Sequence, residues 1–324
     1  MPPLRPDRRG PAERTFATGL AFALSAYLLW GLLPAYFAVL APAGPYEIVA
    51  IRVVLSVVFC AILLTATRGW RRYGALWRGG RVTAWLGLAA LLVGLNWTIY
   101  IVVVSIGDVV QAALGFYMNP LVTILLGVVF LRERLRPLQW IAIGVSAVAI
   151  AVLTLGLGGF PWFAIVLAVS FGVYGLAKHR VGERVNAVSG LAFETGVLLP
   201  FAIVVIVLIA LRVPVLDPTG VGIVTGTVNG WHTLAMSLAG VLTTMPLLFF
   251  AGAARRLPLS YIGLTQYLAP TLTFIVGVVV LGEAMPPQRW IGFGIVWLAI
   301  LLLIVDSVVM VARGRRATPP APIE

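Results

Sequence analysis

The chain has 324 residues, 61% of them hydrophobic and only 10% charged, with a formal net charge of +12. Soluble domains carry about 25% charged residues, so this composition reads as an all-α integral membrane protein. A single cysteine, Cys60, excludes an intrachain disulfide and a cysteine-based metal site, and the arginines lie scattered between apolar runs, a pattern that suits anionic lipid headgroups rather than nucleic acid.

A bilayer core of about 30 Å needs about 20 apolar residues per helix. In chain order that length fits ten spans: 16–40, 46–67, 83–104, 109–131, 138–155, 160–177, 187–211, 231–253, 259–281 and 288–311. The first follows a run of arginines and precedes "APA" at 41–43, as a secretory leader would. At 25 residues it exceeds the roughly 7–15 of a leader's apolar core, and it is read as a helix. The tails, 1–15 and 312–324, are rich in proline and charge and are expected to be disordered.

With the N-terminus in the cytoplasm, the outer loops hold only Arg212 and Arg289, and Arg52 lies within a span. The other 20 of the 23 lysines and arginines fall on the cytoplasmic side. The positive-inside rule therefore places both termini in the cytoplasm of a multi-pass plasma-membrane protein, read as bacterial.

"VVFLRERLRPLQWI" at 128–141 recurs as "VVVLGEAMPPQRWI" at 278–291. Val128, Val129, Leu131, Glu133, Pro137, Trp140 and Ile141 return as Val278, Val279, Leu281, Glu283, Pro287, Trp290 and Ile291, whereas Arg132, Arg134 and Arg136 become Gly282, Ala284 and Pro286. The same offset of 150 matches Leu114, Tyr117, Pro120, Thr123, Gly127 and Gly144 with Leu264, Tyr267, Pro270, Thr273, Gly277 and Gly294. Five spans separate the copies, an odd number, so the second is upside down, and only the cytoplasmic copy keeps its orienting arginines. The expected architecture is ten transmembrane helices in two inverted five-helix repeats, 16–155 and 160–311. Inverted repeats recur in secondary transporters, with the substrate near the midplane between the halves.

"AYLLWGLLPAYF" at 26–37, "GLNWTIYIVVV" in the third span and "AALGFYMNPLVTILLGVVFLRERLRPLQW" resemble the RarD branch of the EamA-type drug/metabolite transporters, over about residues 16 to 311. The resemblance implies ten helices around a central cavity and export of small metabolites or of drugs such as chloramphenicol, with amino acids as a substrate class of related members. Exchange against protons is also what the resemblance suggests.

Ionisable groups at membrane depth cost about 2.5–3.5 kcal/mol on the insertion scale and are functional candidates by default. Arg52 in span 2 and Glu194 in span 7 lie at mirrored depths, roughly 9 and 10 Å from opposite faces. Glu194 is a candidate proton-coupling site and Arg52 a candidate anchor for a substrate carboxylate, with local structural roles as the alternative. About 10 Å of depth separates them, so a direct pair requires tilt or reach.

Asn96 and Tyr100 share one face of span 3. Asn119 precedes Pro120 in span 4, and Gln266 and Tyr267 precede Pro270 in span 9, with Tyr117 the equivalent of Tyr267. Pro120 and Pro270 are expected to kink their helices. The polar residues around them are expected to line a cavity, with interhelical packing as the alternative. Trp30, Tyr36, Tyr100 and Tyr174 are candidates to stack on a substrate, with anchoring at the interface as the alternative for Tyr36; Trp140 and Trp290 suit the membrane interface. Glu133 and Glu283 read as hairpin elements.

The only lysine, Lys178, sits in "LAKHR" at a cytoplasmic span end, outside any Walker A loop. No His-Glu-x-x-His occurs, and Asp108, Asp217 and Asp306 fall in loops or at span ends. The expected protein is therefore not an enzyme and carries no cofactor or metal. It is a secondary transporter working by alternating access, with a small-molecule substrate, the lipid bilayer and protons as partners. A passive facilitator and a non-transporting scaffold or sensor are the alternatives.

Overall fold

The computed structural model describes residues 11–276 apart from 106–108, 156–159, 183 and 218–221, together with 279 and scattered positions from 290 to 302. Asp108, Glu283, most of the second hairpin, most of the tenth span, Asp306 and the C-terminal tail lie outside the described residues. Among those described, no strand occurs. The helices are α1 (Pro11–Val39), α2 (Pro45–Ala66), α3 (Trp70–Leu76), α4 (Arg81–Ser105), α5 (Val109–Leu131), α6 (Pro137–Leu155), α7 (Trp162–Val181), α8 (Ala187–Ala210), α9 (Gly230–Ser237), α10 (Ala239–Ala254), α11 (Leu259–Thr265) and α12 (Leu268–Ile275).

Seven described segments are long and apolar enough to cross a membrane: Arg14–Phe37, Pro45–Ala66, Arg81–Tyr100, Leu114–Leu131, Trp162–Val181, Ala187–Ala210 and Gly230–Ala254. These are the first four and the sixth to eighth expected spans, and α6 covers the fifth. Proline starts α2 and α6, where its missing N–H costs nothing. Asn186 caps α8 by accepting from the Val188 and Ser189 amides at 3.0 and 3.5 Å, and Asn229 caps α9 by accepting from His232 N at 2.7 Å.

Three local features add to or depart from the expectations. Residues 11–15, expected in the disordered tail, begin α1. Ala12, Glu13 and Arg14 are good helix formers and extend the apolar run backwards. The arginine-rich gap after α2 contains a helix, α3, with Trp70 and Trp77 about half exposed, as amphipathic rings at a membrane interface are. The ninth span is broken into α11 and α12. Pro270 has no N–H to give the Gln266 carbonyl, which accepts instead from Ala269 N at 3.2 Å. Pro120, its counterpart 150 residues earlier, lies inside an unbroken α5.

Packing pairs the helices in a regular way. α2 runs along α8, and α5 along α11; α1 contacts α10 as α7 contacts α4; α5 packs on α7 as α12 packs on α1. Small residues permit these approaches. A Cβ on Gly240 of α10 would lie 2.5 Å from the backbone carbon of Leu55 on α2, so the two helices touch through main chain. Beside it the Ser56 hydroxyl reaches the Gly240 carbonyl at 3.4 Å.

Candidate functional site

α7 and α8 are joined by a short turn, so residues equally far from it lie side by side. Lys178 and Glu194 each stand eight residues from Asn186. Lys178 Nζ meets Glu194 Oε1 at 2.6 Å, with the side chains only 4% and 1% exposed. The Tyr174 hydroxyl, one helical turn before Lys178, donates to Glu194 Oε2 at 3.4 Å. Lys178 lies in the last turn of α7, at the span end as expected, but its side chain turns inward to this buried pair. Its equal spacing from the turn was the signal that could have paired it with Glu194.

Tyr174 carries this polar group into an aromatic cluster drawn from α1, α7 and α10. Its ring stacks on Phe250 at 5.6 Å and lies 5.7 Å from Phe171. Trp30 sits 5.7 Å from Phe171, 5.8 Å from Phe250 and 5.4 Å from Tyr27. Two expected substrate-stacking residues, Trp30 and Tyr174, are thus brought together by shared ring neighbours. The arrangement joins an apolar, polarizable wall to one buried ion pair.

Arg52 lies elsewhere. Cys60 of α2 sits beside Thr195 of α8, so Arg52, eight residues earlier, is about 12 Å further along α2 at 1.5 Å per residue. Among the described residues no carboxylate reaches it, and Glu194 is answered by Lys178. Its guanidinium carbon stands 4.1 Å from the Trp97 ring centroid, and Tyr36 and Tyr100 lie near it. Arg52 Nε is buried without a hydrogen-bond partner among the described residues. A cation–π contact contributes about 0.5–2 kcal/mol, less than the about 2.5–3.5 kcal/mol of an intramembrane cation.

Glu47, a buried carboxylate that the sequence reading passed over, is engaged by a loop. It accepts from Val224 N at 3.0 Å, Thr225 N at 2.8 Å and Thr225 Oγ1 at 2.6 Å. Tyr36 ties the same end together by donating to the Ala235 carbonyl at 2.9 Å.

The remaining candidates are dispersed. Asn96 donates to the Leu167 carbonyl and to Ser170 Oγ, both at 2.9 Å, and so fastens α4 to α7. Tyr100 packs on Phe116 at 5.6 Å. Gln266 Oε1 accepts from Thr123 Oγ1 at 3.3 Å across the α5–α11 crossing. Asn119 Oδ1 and Gln266 Nε2 are buried without a partner among the described residues. Tyr117 and Tyr267, the matched pair of the repeat, share one small cluster with Ala142, apart from the Trp30 and Tyr174 cluster.

Glu133, expected to be an element of its own hairpin, reaches across to α11. Its carboxylate accepts from Leu259 N at 2.6 Å and Ser260 N at 2.8 Å, holding the first turn of α11. His179 and His232 engage the Ala254 and Leu40 carbonyls at 2.9 and 3.0 Å. No group of three metal-ligating residues occurs among the described residues.

The sequence profile of the EamA-like transporter family matches twice, over residues 17–155 and 161–305. Protein RarD of Streptomyces exfoliatus is 42% identical over 94% of this chain and 93% of its own length. Protein RarD of Escherichia coli (strain K12) is 34% identical over 90% and 95%. The chloramphenicol-sensitive protein RarD of Pseudomonas aeruginosa is 30% identical over 94% and 99%. A solved crystal structure, 19% identical, superposes with a TM-score of 0.63 over 88% of this chain and 96% of that one, a likeness of fold alone.

Proposed function

This chain belongs to the EamA-like transporter family, in its RarD branch, and from that premise we propose that it is a secondary active transporter exporting small metabolites or drugs by alternating access. In this reading it comprises ten helices in two inverted repeats, 16–155 and 160–311, in a bacterial plasma membrane with both termini cytoplasmic. The exchange of helix neighbours supports the repeat: α1 with α10 mirrors α7 with α4, while α2–α8 and α5–α11 are self-matched pairs on the pseudo-twofold axis.

The observation that carries the coupled-transport reading is the Lys178–Glu194 pair, buried at 2.6 Å beneath the aromatic cluster. An ion pair in a low-dielectric setting is a weak source of stability, and ionisable groups at membrane depth mark proton and substrate paths. In the packed state Lys178 neutralises the Glu194 carboxylate and Tyr174 orients it. When the halves rock apart and water reaches the α7–α8 hairpin, Glu194 exchanges a proton and Lys178 lets go. Trp30, Phe171 and Phe250 then part to admit the substrate's apolar body.

The test is flux of labelled neutral and aromatic amino acids, and of chloramphenicol, into proteoliposomes with and without an imposed pH gradient. Saturable, gradient-stimulated flux of one compound is expected. Saturable flux indifferent to the gradient would instead identify a facilitator.

A further inference from the structure

The proposed function leaves Arg52 unused, and its surroundings specify a ligand. It is the eighth residue of α2, well inside an apolar helix. Four groups face it or flank it. Trp97 of α4 lies under the guanidinium at 4.1 Å. Tyr100 of α4 and Tyr36 of α1 lie near it. Glu47, on its own helix, is held by Val224 and Thr225. None of these forms an ion pair with the guanidinium, Glu47 being held through Oε1 by the loop, and Nε has no hydrogen-bond partner among the described residues.

An aromatic face stabilises a guanidinium from one side and leaves its planar edge of N–H donors free. That edge matches a carboxylate, which accepts two parallel hydrogen bonds from it. Tyr36 also donates to the Ala235 carbonyl, so the surroundings of Arg52 draw on α1, α2 and α4, are tied to α9, and touch both proposed halves. A ligand bound there would bridge elements that alternating access must separate.

We propose that Arg52, with Trp97, Tyr36 and Tyr100 around it, is the carboxylate-recognition end of the substrate site, and that the transported molecules are organic anions or zwitterions bearing one carboxylate. The substrate carboxylate balances the Arg52 charge, with the substrate's body lying against the Trp97 and Tyr100 rings. This inference rests on the transport reading and names the substrate class for it.

Binding tests it without any flux. The purified full chain in detergent is titrated with benzoate, its neutral isostere benzamide, acetate and inorganic phosphate, following tryptophan fluorescence and the thermal unfolding midpoint. Benzoate is expected to bind saturably and at least tenfold tighter than benzamide or phosphate, with acetate weaker than benzoate. Arg52→Gln should erase the preference for benzoate over benzamide, Arg52→Lys should keep part of it, and Trp97→Phe should reduce the fluorescence response. Equal binding of benzoate and benzamide overturns the proposal, as does phosphate binding as tightly as benzoate or a preference that survives Arg52→Gln. If Arg52→Gln does not fold, an undiminished preference in Arg52→Lys, which lacks the planar fork, also overturns it. Benzoate binding in a protein that transports nothing would count against the transport reading and leave the carboxylate site standing.

Discussion

Lys178 Nζ and Glu194 Oε1 meet at 2.6 Å in the interior, each eight residues from the Asn186 cap that turns α7 into α8. The same cap fixes the register of the hairpin, so the pairing follows from the turn and not from a long-range accident of packing. Charge removed from either side leaves the other buried and unanswered.

Lys178→Met should therefore destabilise the protein by about 3–5 kcal/mol, the cost of leaving one member of a buried pair alone. The double substitution Lys178→Met with Glu194→Leu should be less damaging than Lys178→Met by itself. Denaturation of the purified variants, arranged as a double-mutant cycle, checks this. Additive losses would mean that the two side chains do not act as a pair.

Asn96 spends its amide on the Leu167 carbonyl and on Ser170. Asn96→Leu should cost about 1 kcal/mol, the scale of interhelical hydrogen bonds in membranes, and leave substrate affinity unchanged. A fall in affinity without a fall in unfolding midpoint would return Asn96 to the substrate site.

Glu133 clamps the amides of Leu259 and Ser260. Glu133→Ala should loosen the first turn of α11 by about 1–2 kcal/mol, since charge-assisted hydrogen bonds at a helix start are lost. Amide hydrogen exchange over 259–265 should rise, with little change in α7 and α8. Glu133→Gln should fall between the two.

Gly240 meets the Leu55 backbone where α10 crosses α2. Gly240→Val would place its Cβ 2.5 Å from main-chain carbon, which no side-chain rearrangement relieves. Loss of about 3 kcal/mol or more of stability is expected from such overpacking, read as a lower unfolding midpoint. Gly144, whose added Cβ meets nothing within 4 Å, should accept alanine with a change of under about 0.5 kcal/mol.

Most of the helices were legible because each apolar run is long and bounded by proline, glycine or arginine, as at Pro45 and Pro137. Family membership was legible in the span-4 hairpin, where Asn119, Pro120 and Glu133 stand together. The break before Pro270 was expected as a kink, and α3 was hidden because seven residues leave too little periodicity to read. The site was harder to read. Arg52 and Glu194 stand out as charges in apolar runs, but their partners depend on which helix faces which. Lys178 was read from "LAKHR" as lying at a span end, where it does lie, but its distance from Asn186, equal to that of Glu194, was the sign of its inward pairing. Asn96 carried no local sign that Ser170 and the Leu167 carbonyl would satisfy it.

The central claim is that Glu194 couples substrate movement to protons. The most direct measurement compares wild type with Glu194→Gln in proteoliposomes, in two modes run on the same preparation: substrate counterflow at equal pH, and net flux driven by a pH gradient. The account predicts that the glutamine variant keeps counterflow, because Arg52 with its aromatic neighbours and the aromatic cluster are intact, and loses all stimulation by the gradient. Gradient-driven flux that persists at the wild-type rate in Glu194→Gln would contradict it.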